Sequence, residues 1–231
     1  EALHLSLVAL GIGPGDEVIV PDMTFIATSN AVVLTGAKPV LADIDSSLNI
    51  SIDSIQKNIT KKTKAIIPVH FAGFPCNMKK IKEIAKKNNL KIVEDCAHAI
   101  GTNYNKKHVG TFGDTGCFSF YPTKNFTTIE GGMIITNSKI IAKKLQNLRN
   151  HGLSRTLLQR NKKSVPWEYD IEVPGYNFRL DEIRSTLGMS QLKRLKLMNK
   201  KRKNAANYYS QKLKDIVGIE IPNLFESKNH V

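Results

Sequence analysis

Short apolar segments that do not alternate with polar residues recur along the first 150 residues, and amphipathic segments separate them. Three of the apolar segments are residues 17–20, 65–69 and 91–94. Strands without alternation are typical of sheets that are covered on both faces, and the intervening helices then provide the crossovers between parallel strands. The chain is therefore predicted to be an α/β protein with a mainly parallel central sheet and helices on both faces.

The predicted elements follow one another closely in this region. Strands are predicted at 17–20, 39–41, 65–69, 91–94, 116–120 and 133–136. Helices are predicted at 3–10, 24–35, 51–58, 78–87 and 139–148. The glycine-rich segment 11–16 looks like GxGxxG, but it follows a helix and precedes a strand, which is the reverse of a dinucleotide-binding motif. We interpret it as a helix end followed by a turn.

The character of the chain changes after residue 150. A long ordered loop is predicted at 151–177, a helix at 181–214 and a further strand at 216–221. We therefore expect a large domain, residues 1–180, followed by a long helix and the start of a smaller domain, residues 181–231. The chain begins without Met inside a helical pattern and stops in a loop, so we expect it to be truncated.

Basic residues outnumber acidic residues by 34 to 20, which gives a net charge of +14. Many of the Lys and Arg residues lie in 193–214, where they interleave with leucines at helical spacing. This pattern is typical of the solvated face of an amphipathic helix, and without a recognition motif it does not favour a nucleic-acid site. The same positive field would attract anionic substrates, such as phosphorylated or nucleotide-linked compounds.

Neither a membrane helix nor a metal site is predicted. No apolar run reaches the roughly 20 residues that a membrane helix needs, and the first residues lack the basic leader of a signal peptide. The three cysteines, Cys76, Cys96 and Cys117, are too widely spaced for a CxxC pair. They predict reduced thiols in a cytoplasmic protein, and no Cys/His group has the spacing of metal ligands.

Several chemically capable residues fall where predicted strands end, which is the edge at which open parallel sheets bind ligands. Asp95 directly follows the fourth predicted strand, and His98 comes three residues later. Ser119 and Lys124 lie at and just beyond the end of the fifth predicted strand, and Phe25 follows the first. We therefore expect these side chains to approach one another.

Lys124 differs from the other lysines because its neighbours, residues 117–126, are mostly apolar and aromatic. A lysine held among such side chains loses hydration, which lowers its pKa and favours the neutral, nucleophilic amine. Asp95 alone would be an ordinary helix cap, but beside a cation in a cleft it would tune the charge of its partner. His70 and His151 either line a substrate pocket or are hydrogen-bonded structural histidines.

Seven segments resemble, in order and spacing, the motifs of the DegT family of sugar-nucleotide aminotransferases. They are GIGPGDEV from residue 11, PDMTFIAT from 21, PVHFAG from 68, EDCAHAIG from 94, SFYPTK from 119, EGG from 130 and GYNFRL from 175. The resemblance implies the fold of the aspartate aminotransferases (fold type I) and the cofactor pyridoxal 5′-phosphate (PLP). One departure is Ile129, which stands where many members have a glycine before the Glu-Gly-Gly segment.

The resemblance also implies roles for individual residues. Lys124 would be the Schiff-base lysine and would later carry the proton between substrate and cofactor. Asp95 would pair with the protonated pyridine nitrogen, which lets the ring act as an electron sink. His98 would reach the phenolic oxygen of the cofactor.

Three further cofactor-binding residues follow from the same resemblance. Phe25 would stack on the cofactor ring, and Ser119 would donate a hydrogen bond to its phosphate. Asn177 would reach the phosphate of the neighbouring subunit's cofactor. The resemblance therefore implies a homodimer with shared active sites.

The implied reaction transfers an amino group from L-glutamate through the cofactor to a keto group on a nucleotide-linked sugar, as in polysaccharide biosynthesis. Within the family, the segments around His70 and His98 resemble most the enzymes that aminate a 4-keto pentose or a 4-keto-6-deoxyhexose on UDP, such as the UDP-4-amino-4-deoxy-arabinose aminotransferases. One alternative is a PLP-dependent sugar dehydratase, although relatives of that kind carry His in place of Lys124. Another alternative is a degenerate PLP-fold regulator or nucleic-acid binder, which only the net charge suggests.

Overall fold

The computed structural model describes residues 1–153, 170–221 and 230–231, and its centre is a six-stranded sheet. The strands run β1 (Glu17–Pro21), β2 (Lys38–Ala42), β3 (Thr63–Ile66), β4 (Lys91–Asp95), β5 (Asn103–Tyr104), β6 (Lys107–His108), β7 (Thr115–Ser119) and β8 (Gly132–Ile135). Their order in the sheet is β2-β1-β3-β4-β7-β8, while β5 and β6 form a separate hairpin. All pairs in the six-stranded sheet are parallel except β7 with β8. The prediction of a mainly parallel sheet is therefore confirmed.

The helices cover both faces of this sheet. They are α1 (Ala2–Ala9), α2 (Ala27–Val33), α3 (Ile52–Asn58), α4 (Met78–Asn88), α5 (Lys139–Leu148) and α6 (Glu182–Leu213), with a short 3₁₀ turn at Phe71–Gly73. None of the helices among the described residues is long and apolar enough to cross a membrane.

Two apolar cores explain why the strands do not alternate between apolar and polar residues. On one face, Ile19 and Ile66 pack with buried residues of α3 and α4. On the other face, Val18 and Val93 pack with buried residues of α1 and α2. Because every central strand supplies apolar side chains to both cores, its sequence reads as a continuous apolar run.

Side-chain caps fix where several helices begin. The hydroxyl of Ser51 accepts a hydrogen bond from the backbone N–H of Ser54, and the side chain of Asn77 accepts one from Lys80. Ser138 caps α5 in the same way. Such caps satisfy N–H groups that have no partner inside the helix, so these starts were visible in the sequence.

Two predictions for the last third of the chain have different outcomes. The predicted strand at 216–221 is wrong: the chain turns after α6, with Gly218 at φ +86°, and Val217 is fully exposed. Apolar β-branched residues favour a strand only where a neighbouring strand offers hydrogen bonds, and none pairs with them among the described residues. Most of the loop predicted at 151–177 lies outside the described residues, but its ends meet in the bridge between Leu153 and Ile171.

Candidate functional site

Asp95 occupies a fixed position at the carboxyl end of β4. Its backbone N–H donates to the carbonyl of Pro68 at 2.9 Å, and its carbonyl accepts from the N–H of His70 at 3.1 Å. The side chain is only 6 % exposed. One carboxylate oxygen accepts from the hydroxyl of Thr28 at 3.1 Å, and the other accepts from the N–H of Ala97 at 3.1 Å. The carboxylate is therefore buried and oriented, and each oxygen keeps a lone pair for a further donor.

The loop after β1 and the first turn of α2 each bring a threonine toward Asp95. Thr24 and Thr28 are joined through their hydroxyls at 2.9 Å. Because the single hydroxyl proton of Thr28 is given to Asp95, Thr24 donates to Thr28, and the three side chains form a relay. Phe25 lies in the same loop with its side chain 74 % exposed, so its ring is free to meet a ligand. Sequence reasoning found Phe25 but missed Thr28, although both lie in the PDMTFIAT segment.

Lys124 follows β7 in a turn in which its N–H donates to the carbonyl of Tyr121 at 3.0 Å. Burial lowers the pKa of Lys124, and the nearby carboxylate of Asp95 raises it by a smaller amount. The pKa of the amine is therefore below its ordinary value, and Lys124 and Asp95 are close enough to interact. A pKa lowered by burial is the direction that the apolar and aromatic neighbours of Lys124 led us to expect.

His98 belongs to the same electrostatic cluster. Burial lowers its pKa and the charge of Lys124 lowers it further, whereas Asp95 has the opposite effect. Its Nδ1 accepts a hydrogen bond from the backbone N–H of Ala72 at 3.3 Å, in a turn where Ala72 has φ +48°. The ring is therefore neutral near pH 7, and its Nε2 carries the proton that can be donated to a ligand.

Ser119 ends β7 beside the Glu-Gly-Gly segment. It pairs with Gly132 on β8, and its hydroxyl oxygen accepts from the N–H of Tyr121 at 3.4 Å. A side chain on Gly132 would stand 2.9 Å from the carbonyl oxygen of Phe118, so the close pairing of β7 and β8 requires glycine here. The hydroxyl proton of Ser119 is not used in this bond and remains available.

Asn177 lies apart from these residues. Its backbone bridges to Asn150, and its exposed side chain accepts a hydrogen bond from Nε of Arg179 at 2.7 Å. Its neighbours Tyr176 and Phe178 anchor this segment on α1 and α5. Within one subunit the structure therefore brings together Asp95, His98 and Lys124 but not Asn177.

The two histidines with open assignments differ in burial. His70 is fully buried and its Nε2 lies 3.1 Å from a carboxylate oxygen of Glu94, so it is a hydrogen-bonded structural histidine. His151 is exposed and holds Tyr176 through its backbone. Sequence reasoning placed Glu94 in a strand and in the EDCAHAIG segment but gave its side chain no role.

A groove of about 530 Å³ lies elsewhere, along the outer edge of β8. It is lined by residues of α1, β8, α5 and the segment 178–180, and by none of Phe25, Asp95, His98, Ser119 and Lys124. Size alone does not define a reactive site, because chemistry requires titratable groups that act on one another. We therefore place the candidate site at the carboxyl ends of β4 and β7.

This mainly parallel sheet with helices on both faces has the fold of the type I aminotransferases, and an acid–lysine–histidine cluster lies at its carboxyl edge. The whole chain, residues 1–231, matches the DegT/DnrJ/EryC1/StrS aminotransferase family. The protein belongs to this family, whose aminotransferases depend on PLP. The resemblance found in the sequence motifs is confirmed.

Two curated relatives and one solved structure illustrate the similarity. The chain is 43 % identical over 233 residues to the UDP-N-acetyl-3-dehydro-α-D-glucosamine 3-aminotransferase of Acidithiobacillus ferrooxidans, covering all of this chain and 60 % of that protein. It is 42 % identical over 219 residues to the GDP-perosamine synthase of Escherichia coli O157:H7, covering 94 % and 57 %. The structure of Spr1654 from Streptococcus pneumoniae, assigned as a sugar aminotransferase and solved in its PLP form, superposes with a TM-score of 0.83 at 33 % identity, covering 93 % and 58 %. The chain thus spans about three fifths of the length of these relatives.

Ile129 adopts an unusual backbone conformation beside this site. Its φ is +69°, its side chain is 57 % exposed, and its N–H donates to the hydroxyl of Thr127 at 2.8 Å. A β-branched residue at positive φ is strained by about 1–3 kcal/mol. The glycine found in many family members would relieve this strain.

We predict that Ile129→Gly raises the free energy of unfolding by about 1 kcal/mol, since the relief of strain outweighs the added freedom of the unfolded chain. Urea unfolding followed by circular dichroism measures the change. Ile140→Gly is the matched control, because Ile140 is exposed on α5 and glycine there lowers stability by about 1 kcal/mol. A loss of stability in Ile129→Gly similar to that in the control would show that position 129 is unstrained.

A second prediction concerns the reactivity of Lys124. In cofactor-free protein, the pH midpoint of its acetylation by trace acetic anhydride should lie below the ordinary pKa of lysine, because burial outweighs the attraction of Asp95. Asp95→Asn removes the opposing effect and should lower the midpoint further. Peptide mass spectrometry over a pH series gives the midpoint, with Lys57, exposed on α3, as internal reference. A Lys124 midpoint at or above that of Lys57 would contradict the account.

Proposed function

We propose that the full-length protein is a PLP-dependent aminotransferase that transfers an amino group from L-glutamate to a keto group on a nucleotide-linked sugar. The observation that carries this proposal is the cluster of Asp95, His98 and Lys124 at the carboxyl edge of the sheet, in a chain of this family. In the proposed organisation, residues 1–180 form the cofactor-binding large domain and residues 181–231 lead into a second, smaller domain.

The residues of the cluster match the polar groups of PLP. A buried, oriented carboxylate with free lone pairs suits a protonated pyridine nitrogen, and a neutral histidine that donates from Nε2 suits a phenolic oxygen. Burial lowers the pKa of Lys124 and so favours its neutral amine, which is the form that can attack an aldehyde carbon. When bound, the cofactor supplies an electron sink for the charge that develops at the amino-bearing carbon of the substrate.

Lys124 would have two tasks in turn. Its neutral amine would first hold the cofactor covalently through Nζ. Once an amino substrate has displaced it, the free amine would act as a base that takes the proton from the substrate carbon and passes it to the cofactor. The carboxylate of Asp95 would face the protonated ring nitrogen throughout, and the Nε2 proton of His98 would point toward the phenolic oxygen.

Three other residues complete the proposed site. The exposed ring of Phe25 would cover one face of the cofactor, and the unused hydroxyl proton of Ser119 would be donated to the phosphate. Asn177 would reach the phosphate bound by a second copy of the chain. The side chain of Asn177 is exposed, and its described contacts are with Asn150 and Arg179 rather than with the cluster, which supports this assignment. The assignment requires a homodimer with shared sites.

The substrate class is proposed on the relatives and on charge. One relative is named for a 3-keto sugar on UDP and the other for a product on GDP, so family membership leaves the sugar, the carbon and the nucleotide open. The motif resemblance favours a 4-keto pentose or 4-keto-6-deoxyhexose on UDP. The net charge of +14 suits a diphosphate-linked substrate. The three free, buried cysteines favour a cytoplasmic location.

We predict that the full-length protein with PLP has a visible absorption band that bleaches when L-glutamate is added. Lys124→Ala should lack the band of lysine-bound cofactor and lose at least about 10³-fold of its activity, because both proposed tasks of the amine are lost. Lys57→Ala, which removes an exposed lysine on α3, is the matched control and should behave as the wild type. A wild type without a PLP band, or a Lys124→Ala variant that retains the band, would refute the proposal.

The sugar preference requires a separate experiment. The PLP-loaded protein is incubated with L-glutamate and, in parallel, with 3-keto and 4-keto sugars on UDP and on GDP, and the 2-oxoglutarate released is measured. We expect the fastest release with a 4-keto sugar on UDP. Faster turnover of a 3-keto sugar or of a GDP sugar would overturn the subclass, and a dehydrated sugar product without 2-oxoglutarate would identify a dehydratase instead.

A further inference from the structure

A second carboxylate is buried directly beside Asp95 in sequence but on the opposite face of the sheet. Glu94 is fully buried, with no exposed surface. Successive side chains of a strand point to opposite faces, so Asp95 faces α2 through Thr28 while Glu94 faces the loop that precedes β7. A buried carboxylate next to a candidate catalytic acid requires a physical explanation, because burial of a charge is unfavourable without partners.

Four hydrogen bonds satisfy Glu94. One carboxylate oxygen accepts from the N–H groups of Phe112 and Gly113, both at 2.7 Å. The other accepts from the N–H of Gly110 at 2.8 Å and from Nε2 of His70 at 3.1 Å. Burial by itself raises the pKa of Glu94, but the bonds from His70 and from the backbone outweigh it and leave the pKa below its ordinary value. The four donors therefore favour the carboxylate form of Glu94.

The loop that supplies the backbone donors approaches closely. Gly110 has φ +88°, and a side chain on Gly113 would stand 2.6 Å from the carbonyl oxygen of Ile92. Neither position can carry a larger residue without strain or a clash. The loop is thus shaped to direct its N–H groups at Glu94.

His70 connects this anion to Asp95. Its Nδ1 accepts from the N–H of Cys76 at 3.0 Å, so its proton is on Nε2 and is donated to Glu94. Its backbone N–H donates to the carbonyl of Asp95 at 3.1 Å. His70 therefore forms two hydrogen bonds with the end of β4, one to the side chain of Glu94 and one to the main-chain carbonyl of Asp95.

We propose that Glu94 and His70 are positioning residues that hold the end of β4 in the register in which Asp95 meets the cofactor. This inference rests on the proposed function, because Asp95 is the residue proposed to pair with the ring nitrogen of the cofactor. Without the bond between His70 and Glu94, the strand end shifts or becomes mobile. Asp95 then loses its alignment while its own hydrogen-bonding groups stay intact.

A metal ion is a poorer explanation of the same cluster. Ligand atoms of His70, Glu94 and Cys96 lie within 4.8 Å of one another, which is compact enough for an ion. However, both oxygens of Glu94 already accept two hydrogen bonds each, and burial holds the pKa of the Cys96 thiol well above its ordinary value. An ion would have to displace backbone donors and ionise that thiol, so the hydrogen-bonded pair is the favoured description.

Two substitutions of His70 separate its side-chain bonds. In His70→Gln the amide nitrogen takes the place of Nε2 and still donates to Glu94, but the bond from Cys76 is lost. In His70→Asn the amide oxygen takes the place of Nδ1 and still accepts from Cys76, but the bond to Glu94 is lost. Each variant removes one side-chain hydrogen bond of His70 and keeps the other, so the two form a matched pair.

The test measures the dissociation constant of PLP and the pH dependence of its visible absorption in full-length protein, together with the melting temperature. We expect His70→Gln to bind PLP within about threefold of the wild type and His70→Asn to bind it about tenfold more weakly, with a shifted absorption profile, for one lost bond. Asp114→Ala is the stability control, because it removes the oxygen that accepts a hydrogen bond from the N–H of Ile92 at the other end of β4. It should lower the melting temperature without changing PLP affinity.

Equal PLP affinity and equal absorption profiles in the two His70 variants would overturn the positioning role, whatever their melting temperatures. If His70→Asn does not fold, Glu94→Asp replaces it, since the charge is kept and only the reach is shortened; unchanged PLP affinity there would overturn the proposal equally. A wild-type protein that binds no PLP would instead refute the proposed function, so the two failures are distinguishable.

Discussion

The main-chain pairing of β4 between its two neighbours is the constraint on which the site depends. The N–H and the carbonyl of Asp95 are both held by the segment that continues β3, and Asp95 lies opposite Cys117 of β7. An acid at the end of an unpaired strand would sample many positions. Here the sheet itself fixes the backbone of Asp95, and the relay through Thr28 fixes its carboxylate. Burial lowers the pKa of both Lys124 and His98, the charge of Lys124 lowers that of His98 further, and the carboxylate of Asp95 opposes both shifts.

The adjacent carboxylates of Glu94 and Asp95 lie on opposite faces of β4 and have different roles. All four acceptor positions of the Glu94 carboxylate are used by donors, so it offers none to a ligand. Each oxygen of Asp95 accepts one hydrogen bond and can accept another in the candidate site. Both are buried, so the difference lies in the number of hydrogen-bond donors that each face supplies. Two consecutive residues therefore carry a structural carboxylate, Glu94, and the carboxylate proposed to meet the cofactor, Asp95. Loss of either would affect the other through the shared strand end.

Much of the fold was predictable because its signals are local. Apolar runs gave the strands, amphipathic segments gave the helices, and α5 was predicted with the bounds that it has. The site residues at strand ends followed from the parallel sheet, so Asp95, His98 and Lys124 were found together. Thr28 and Glu94 were missed because their importance comes from contacts 67 and 24 positions away in sequence, which periodicity does not report. The strand at 216–221 failed for a related reason, since pairing is a tertiary property.

The central claim is that Lys124 is the residue that holds the cofactor. The most direct measurement is reduction of the PLP-loaded full-length protein with sodium borohydride, followed by digestion and mass spectrometry of the peptides. The account predicts one phosphopyridoxyl group per chain, attached to Lys124. A label spread over the many surface lysines, or placed on a different single lysine, would contradict it.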